Sequence, residues 1–197
     1  MARSGTDCKV GKTEVAPRAP LGLARDMATV LRGQVPQGVG PDPVPSTAAE
    51  AVRAGRRRAD ALDPNGAIDQ LRAALELDPT HHGAATELAL VLFDTGRKSD
   101  ALATLEAFLR SNPRSAEARL TLVRCLLRTQ DFEGAVAECR TCMQHRPNWD
   151  APHQPLITAL CRIQRAEEAK EVLQDLDRFS PDPRKRAALA QLIDRSA

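Results

Sequence analysis

The sequence has few aromatic residues: Phe, Trp and Tyr supply 3% of its 197 positions, and Tyr is absent. A core with so few rings has to be built from Ala, Leu and Val, and such small side chains let helices approach closely. Strand formers are scarce while Ala, Leu, Arg and Glu abound, which predicts an all-α protein. No run of 18 apolar residues occurs, so no membrane span is expected. The N-terminus has no continuous apolar stretch of the secretory kind, and Asp7, Glu14 and Asp26 argue against an organelle-targeting presequence. Charge of one sign is missing too. The formal net charge is +2, and residues 46–197 carry 22 Lys or Arg against 22 Asp or Glu, unlike a dedicated nucleic-acid binder. Five cysteines at irregular spacing do not form an even disulfide framework, so a reducing compartment, the cytoplasm, is the expected location.

What the sequence does contain is unevenly distributed. Residues 1–45 hold 6 of the 14 Pro and 6 of the 11 Gly and end in VPQGVGPDPVP. Such composition resists a packed core and predicts a disordered tail, with one island, LARDMATVLRG (23–33), patterned for a short helix. GTDCKVGKT within the tail resembles a phosphate loop but separates Gly5 from Gly11 by five residues instead of four, and it follows no strand.

From residue 46 onward the chain repeats. Pro79, Pro113, Pro147 and Pro181 fall 34 residues apart, and Ala67, Ala101, Ala135 and Ala169 keep the same period. Four residues beyond each Ala come Leu71, Leu105, Cys139 and Leu173, and three further Ala74, Phe108, Cys142 and Leu176. A second row reads Leu88, Leu122 and Leu156, followed four later by Leu92, Leu126 and Leu160. Steps of three and four mark amphipathic helices, and each unit holds two such stripes, broken near DTGRKSD, RTQDFEG and RIQRAEE. The recurring Pro ends the second helix, because it cannot continue the hydrogen-bond ladder. Each unit is therefore a helical hairpin.

These units resemble the tetratricopeptide repeat (TPR) family, in 34-residue length, in the small residue opening the second helix and in the Pro at its end. The best-formed are ATELALVLFDTGRKSDALATLEAFLRSNP and ARLTLVRCLLRTQDFEGAVAECRTCMQHRP. The resemblance implies an α-solenoid over 46–197: a degenerate repeat at 48–81, repeats at 82–115, 116–149 and 150–183, and a capping helix at 183–195. A cap is needed because the last repeat would otherwise expose an apolar face. Asp150 is expected to N-cap the helix holding Pro152 and Pro155, both of which fit a first turn. Ala85, Arg119 and His153 stand where the family often has Trp, and Leu92, Leu126 and Leu160 where it usually has Tyr.

The stretch ECRTCMQHRPNWD places Cys139, Cys142 and His145 at three-residue steps, a spacing that invites a metal or haem reading. A covalent haem motif needs His directly after the second Cys, where Met143 stands, and a zinc site needs further ligands that no second close pair supplies. Cys139 and Cys142 occupy rows filled elsewhere by Leu, Ala and Phe, so packing is the expectation. His81 and His82 lack a third ligand and read as a solvated turn. Arg53, Arg56, Arg57 and Arg58 cluster on one helix, but nearby acids and the absence of interleaved aromatics argue against base stacking. No catalytic constellation, cofactor site or small-molecule substrate site can be named, so the expected class is non-enzymatic.

A stack of helical hairpins offers instead a concave face lined by the first helix of each repeat. Family resemblance places Arg56, Asp60, Thr86, Leu90, Phe93, Glu117, Leu120, Arg124, Leu127, Arg128, Gln154, Thr158, Cys161 and Arg162 toward it. Leu90, Phe93, Leu120 and Leu127 are expected to make an apolar floor, with Arg124, Arg128 and Arg162 adding positive charge. That combination suits a protein or peptide partner with apolar anchors and an acidic side chain or free C-terminal carboxylate. The implied role is an adaptor or co-chaperone-like interaction module. The Lys and Asn set that clamps chaperone tails has no match in either frame: Thr86, Leu90, Thr121, Ala151 and Pro155, or Val52, Arg56, Glu87, Glu117 and Thr121. The alternative is a self-assembling scaffold in which one copy's concave face takes the tail or convex face of the next. A third reading, a nucleic-acid binder, would predict binding that falls steeply with salt.

Overall fold

The computed structural model describes residues 45–179 and 182–196. The tail expected over 1–45, with its helix at 23–33, lies outside the described residues apart from Pro45. Among the described residues there are nine α-helices and no strand. Four antiparallel hairpins follow one another: α1 (Ala48–Asp60) with α2 (Pro64–Leu77), α3 (His82–Asp94) with α4 (Lys98–Ser111), α5 (Ala116–Thr129) with α6 (Phe132–His145), and α7 (His153–Arg162) with α8 (Ala166–Phe179). A ninth helix, α9 (Pro183–Asp194), packs on α8 and α7.

The periodic rows form the core. Ala67, Ala101, Ala135 and Ala169 are all fully buried, and at the next row Leu71, Leu105, Cys139 and Leu173 are buried with them. Leu71, Leu92, Leu105, Leu156 and Leu160 are among the largest fully buried side chains. Each contributes about 2 kcal/mol of transfer free energy, and truncation to Ala would cost about 2–5 kcal/mol once the cavity is included. Gly55 occupies the closest approach in the first hairpin, where a Cβ would lie 2.8 Å from Leu71 Cγ.

The turn inside each hairpin is also periodic, in backbone conformation more than in residue type. Leu62, Gly96, Gln130 and Gln164, 34 residues apart, all have positive φ, between 58° and 84°. At each one, two bonds close the end of the first helix. Leu62 N–H donates to Ala59 O at 3.1 Å and Asp63 N–H to Arg58 O at 2.8 Å, and the same pair recurs at Gly96/Arg97, Gln130/Asp131 and Gln164/Arg165. This is the left-handed helix stop that satisfies orphan carbonyls, and it favours glycine because a Cβ is penalised there. The next residue starts the second helix. Asp63 and Asp131 cap it with a carboxylate on the N–H of Gly66 and Gly134, at 3.0 and 2.9 Å. Arg97 and Arg165 instead pair with an acid in its first turn, Asp100 and Glu168.

Two local expectations are corrected. Asp150 does not cap α7 through its side chain: the helix starts at His153, whose N–H donates to the Asp150 carbonyl at 3.1 Å, and Pro152 takes the cap position. His81 is not merely a solvated turn residue, because its Nδ1 accepts the N–H of Ala84 at 3.0 Å and caps α3. Where the family often has Trp, Arg119 is nearly buried and ties α5 to its surroundings, pairing with Glu138 on α6 and donating to Pro113 O at 2.9 Å.

The arrangement has an inner and an outer layer. Successive first helices touch, α1 with α3, α3 with α5, and α5 with α7, and α9 continues the row against α7. The second helices α2, α4, α6 and α8 do not approach one another among the described residues. The hairpins therefore fan outward, and the first helices line the concave side. At the centre, α5 has nine of its 14 residues buried.

The non-glycine left-handed stops yield the first prediction. Gln130→Gly and Gln164→Gly should each raise unfolding stability by about 1 kcal/mol, since both side chains are exposed and the conformational penalty is removed. Urea unfolding followed by circular dichroism measures this, and unchanged or lowered midpoints would contradict the assigned turn geometry.

Candidate functional site

The concave face is built from what the first helices leave uncovered. The seven residues expected there separate into three groups. Phe93 and Leu120 are buried, 3% and 7% exposed, so they pack into the array and are not open floor. Leu90 and Leu127 are half-buried and present apolar surface. Arg124, Arg128 and Arg162 are exposed, but their surroundings differ.

Arg128 is a strut. Its Nη2 lies 2.9 Å from Asp94 Oδ1 on α3, and its guanidinium carbon stands 4.2 Å from the Phe93 ring centroid, with Lys98 Nζ 5.8 Å away. Such a cation–π contact is worth about 0.5–1 kcal/mol at an exposed site. Arg56 is tied in the same sense, to Glu87 at 2.8 Å, linking α1 to α3. Arg162 lies 6.0 Å from the Phe132 ring centroid, with no acid paired to it among the described residues. Arg124 likewise has no ion-pair partner among the described residues. It occupies on α5 the position that Leu90 holds on α3, and those two helices are in contact. Of the four arginines expected on this face, Arg124 and Arg162 are thus the two without an ion-pair partner among the described residues.

The wider set is mixed as well. Asp60 and Gln154 are exposed, and Thr86 and Thr158 are half-buried with hydroxyls donating to Gly83 O and Gln154 O at 3.0 and 2.9 Å. Cys161 is 6% exposed, which removes it from the open surface. Glu117 pairs with Arg146 at 2.9 Å, and the Arg146 guanidinium lies 5.1 Å from the centroid of Trp149. The N–H of Glu117 itself, then Arg146, hold its carboxyl below the usual carboxylate range. A cleft of about 360 Å³ beside it, lined by Thr80, His82, Asn112, Arg114 and Ser115, lies among the inter-repeat turns. Its helix N-terminus already faces that carboxylate.

The cysteine puzzle resolves in the core. Cys139 and Cys142 are fully buried, whereas His145 is exposed, so the three do not converge. Cys142 Sγ donates to Ala116 O at 3.7 Å. Burial pushes the Cys139 thiol up to about 12 and those of Cys125 and Cys142 to about 11. At neutral pH these are protonated apolar fillers and poor nucleophiles. Among the described residues no group of three His, Cys, Asp or Glu is placed to hold a metal, and no helix is long and apolar enough to cross a membrane.

Comparison with known proteins agrees with this architecture. A family model described as tetratricopeptide repeat matches residues 52–106 and 86–141. A tetratricopeptide repeat protein from Parabacteroides merdae superposes with a TM-score of 0.66 at 13% identity, over 76% of this chain and 59% of that one. TTC0263, a thermophilic TPR protein of Thermus thermophilus, gives 0.58 at 18% identity, over 76% and 82%. YrrB, a TPR protein with an unusual peptide-binding site, gives 0.59 at 19% identity, over 73% and 74%. Likeness at these identities shows the fold. No curated protein matches the chain. Residues 52–141 thus match the tetratricopeptide repeat family, and the helical array has the fold of tetratricopeptide repeat proteins, a fold that supports protein–protein interaction.

The buried thiols generate the second prediction. Because their folded pKa values lie above the ordinary value of 9.0, their contribution to stability is complete below that pH and is lost as pH rises through about 11–12. The thermal midpoint should therefore fall from pH 9 upward, less steeply in Cys139→Ala. Equal alkaline slopes in the two proteins would contradict the burial of that thiol.

Proposed function

We propose that this protein is a non-enzymatic adaptor that holds an acidic peptide segment of a partner on its concave face. The observation that carries the reading is Arg124: an exposed guanidinium on the central inner helix, without an ion-pair partner among the described residues. A carboxylate arriving there breaks no existing ion pair, whereas one arriving at Arg128 or Arg56 competes with Asp94 or Glu87. Leu90 and Leu127 supply half-buried apolar surface for a neighbouring anchor, and Arg162 on α7 adds a second cation. Side-chain and C-terminal carboxylates share this chemistry. Four buried free thiols fit a reducing compartment such as the cytoplasm.

The test is titration of the full chain with short Leu/Glu peptides, amidated or free at the C-terminus, followed by the fluorescence of Trp149, the single tryptophan. Binding should weaken with salt, and Arg124→Glu should reduce affinity by about tenfold or more, roughly 1.4 kcal/mol. A preference for the free-acid peptide assigns the terminal carboxylate, and equal affinity assigns the side chains. Arg128→Glu should lower the thermal midpoint, because it breaks the strut to Asp94 and Phe93. Undiminished binding by Arg124→Glu of unchanged helicity would overturn the reading.

A further inference from the structure

Charge is segregated between the two layers of the solenoid. The inner helices α1, α3, α5, α7 and α9 carry eleven Arg or Lys against six Asp or Glu. The outer helices α2, α4, α6 and α8 carry the reverse, six against eleven. The near-buried Arg119–Glu138 pair takes one charge from each layer and leaves the asymmetry in place. Each layer also has a focus. Inner helix α7 contains no acid, and it lies against α5, which carries Arg124. Outer helix α8 has five acids against two bases. There Glu167 is 85% exposed beside Lys170, and Glu171 is exposed with no ion-pair partner among the described residues.

Shape points the same way as charge. Inner helices touch while outer helices splay, so the array is a curved shell. A curved shell can nest against a translated copy of itself, and opposite charge on its two faces makes that approach favourable. The N-terminal tail is a poorer occupant, because residues 1–45 carry six bases against four acids.

We propose that this protein self-associates head to tail, with the acidic outer face of α8 in one copy seated on the Arg124 and Arg162 lane of the next. This names one occupant of the groove and rests on the reading of Arg124 given above. The contact joins two different surfaces, so it propagates into an open chain, or into a ring if the rotation closes.

Sedimentation velocity of the full chain tests the idea, at about 50 mM and about 500 mM salt. The expected result is association at low salt that weakens by about tenfold or more at high salt. Glu167→Lys/Glu171→Lys on the outer face and Arg124→Glu/Arg162→Glu on the inner face should each yield monomer. An equimolar mixture of the two should reassemble, since each charge reversal complements the other. Circular dichroism of each variant confirms the helical array. A monomeric wild-type chain at low salt, outer-face variants that assemble like wild type, or a mixture that stays monomeric would each overturn the proposal. Failure of the peptide reading is distinguishable: the outer-face variant keeps its acidic-peptide affinity if the groove reading holds, whatever its own assembly state.

Discussion

Close approach of helices through alanine is the constraint on which the rest of this structure depends. Ala67, Ala101, Ala135 and Ala169 are fully buried at equivalent places in four hairpins, and Gly55 meets Leu71 at a distance that a Cβ would invade. A larger side chain in this seam would push the second helix away from the first and shift the leucine rows that close the core. The same small residues explain how a protein with only five aromatic residues fills its interior. With helices this close, aliphatic side chains and cysteine fill most of the core, and only Phe93 and Phe108 add buried rings among the described residues.

The concave face follows from that packing. First helices meet each other and second helices do not among the described residues, so the curvature and the identity of the inner surface are set together. The inner surface then has to be held in register. Arg56 with Glu87, and Arg128 with Asp94 and Phe93, link neighbouring inner helices from the solvent side. Each exposed pair contributes modestly by itself. Their structural consequence is selective: they occupy the guanidinium groups of Arg56 and Arg128, whereas Arg124 and Arg162 have no ion-pair partner among the described residues.

The architecture was legible in the sequence because the strongest signals were periodic. Proline and alanine rows at a 34-residue interval located the hairpins, and steps of three and four separated buried from exposed positions. The site was less legible. Phe93 and Leu120 share a helical face with Leu90 and Leu127, and only the angle between neighbouring hairpins decides which of the four is covered. Arg124 and Arg128 are also alike in sequence. What separates them is Asp94, 34 residues before Arg128 and therefore beside it on the next inner helix, whereas Arg124 has Leu90 at the same offset. Comparing each charge with the residue one repeat earlier would have shown this. The helix stops at Leu62, Gln130 and Gln164 were harder to see, because only Gly96 carries the residue type that announces a left-handed turn.

Native-state hydrogen exchange by mass spectrometry tests most directly whether contacts between first helices organise the array. If they do, amides in α5, packed against α3, α4, α6 and α7, exchange slowest, and protection falls toward α1 and α9 at the two ends. Protection in α5 no greater than in α1 and α9 would mean that the hairpins open independently, and a continuous concave face would then not follow from their packing.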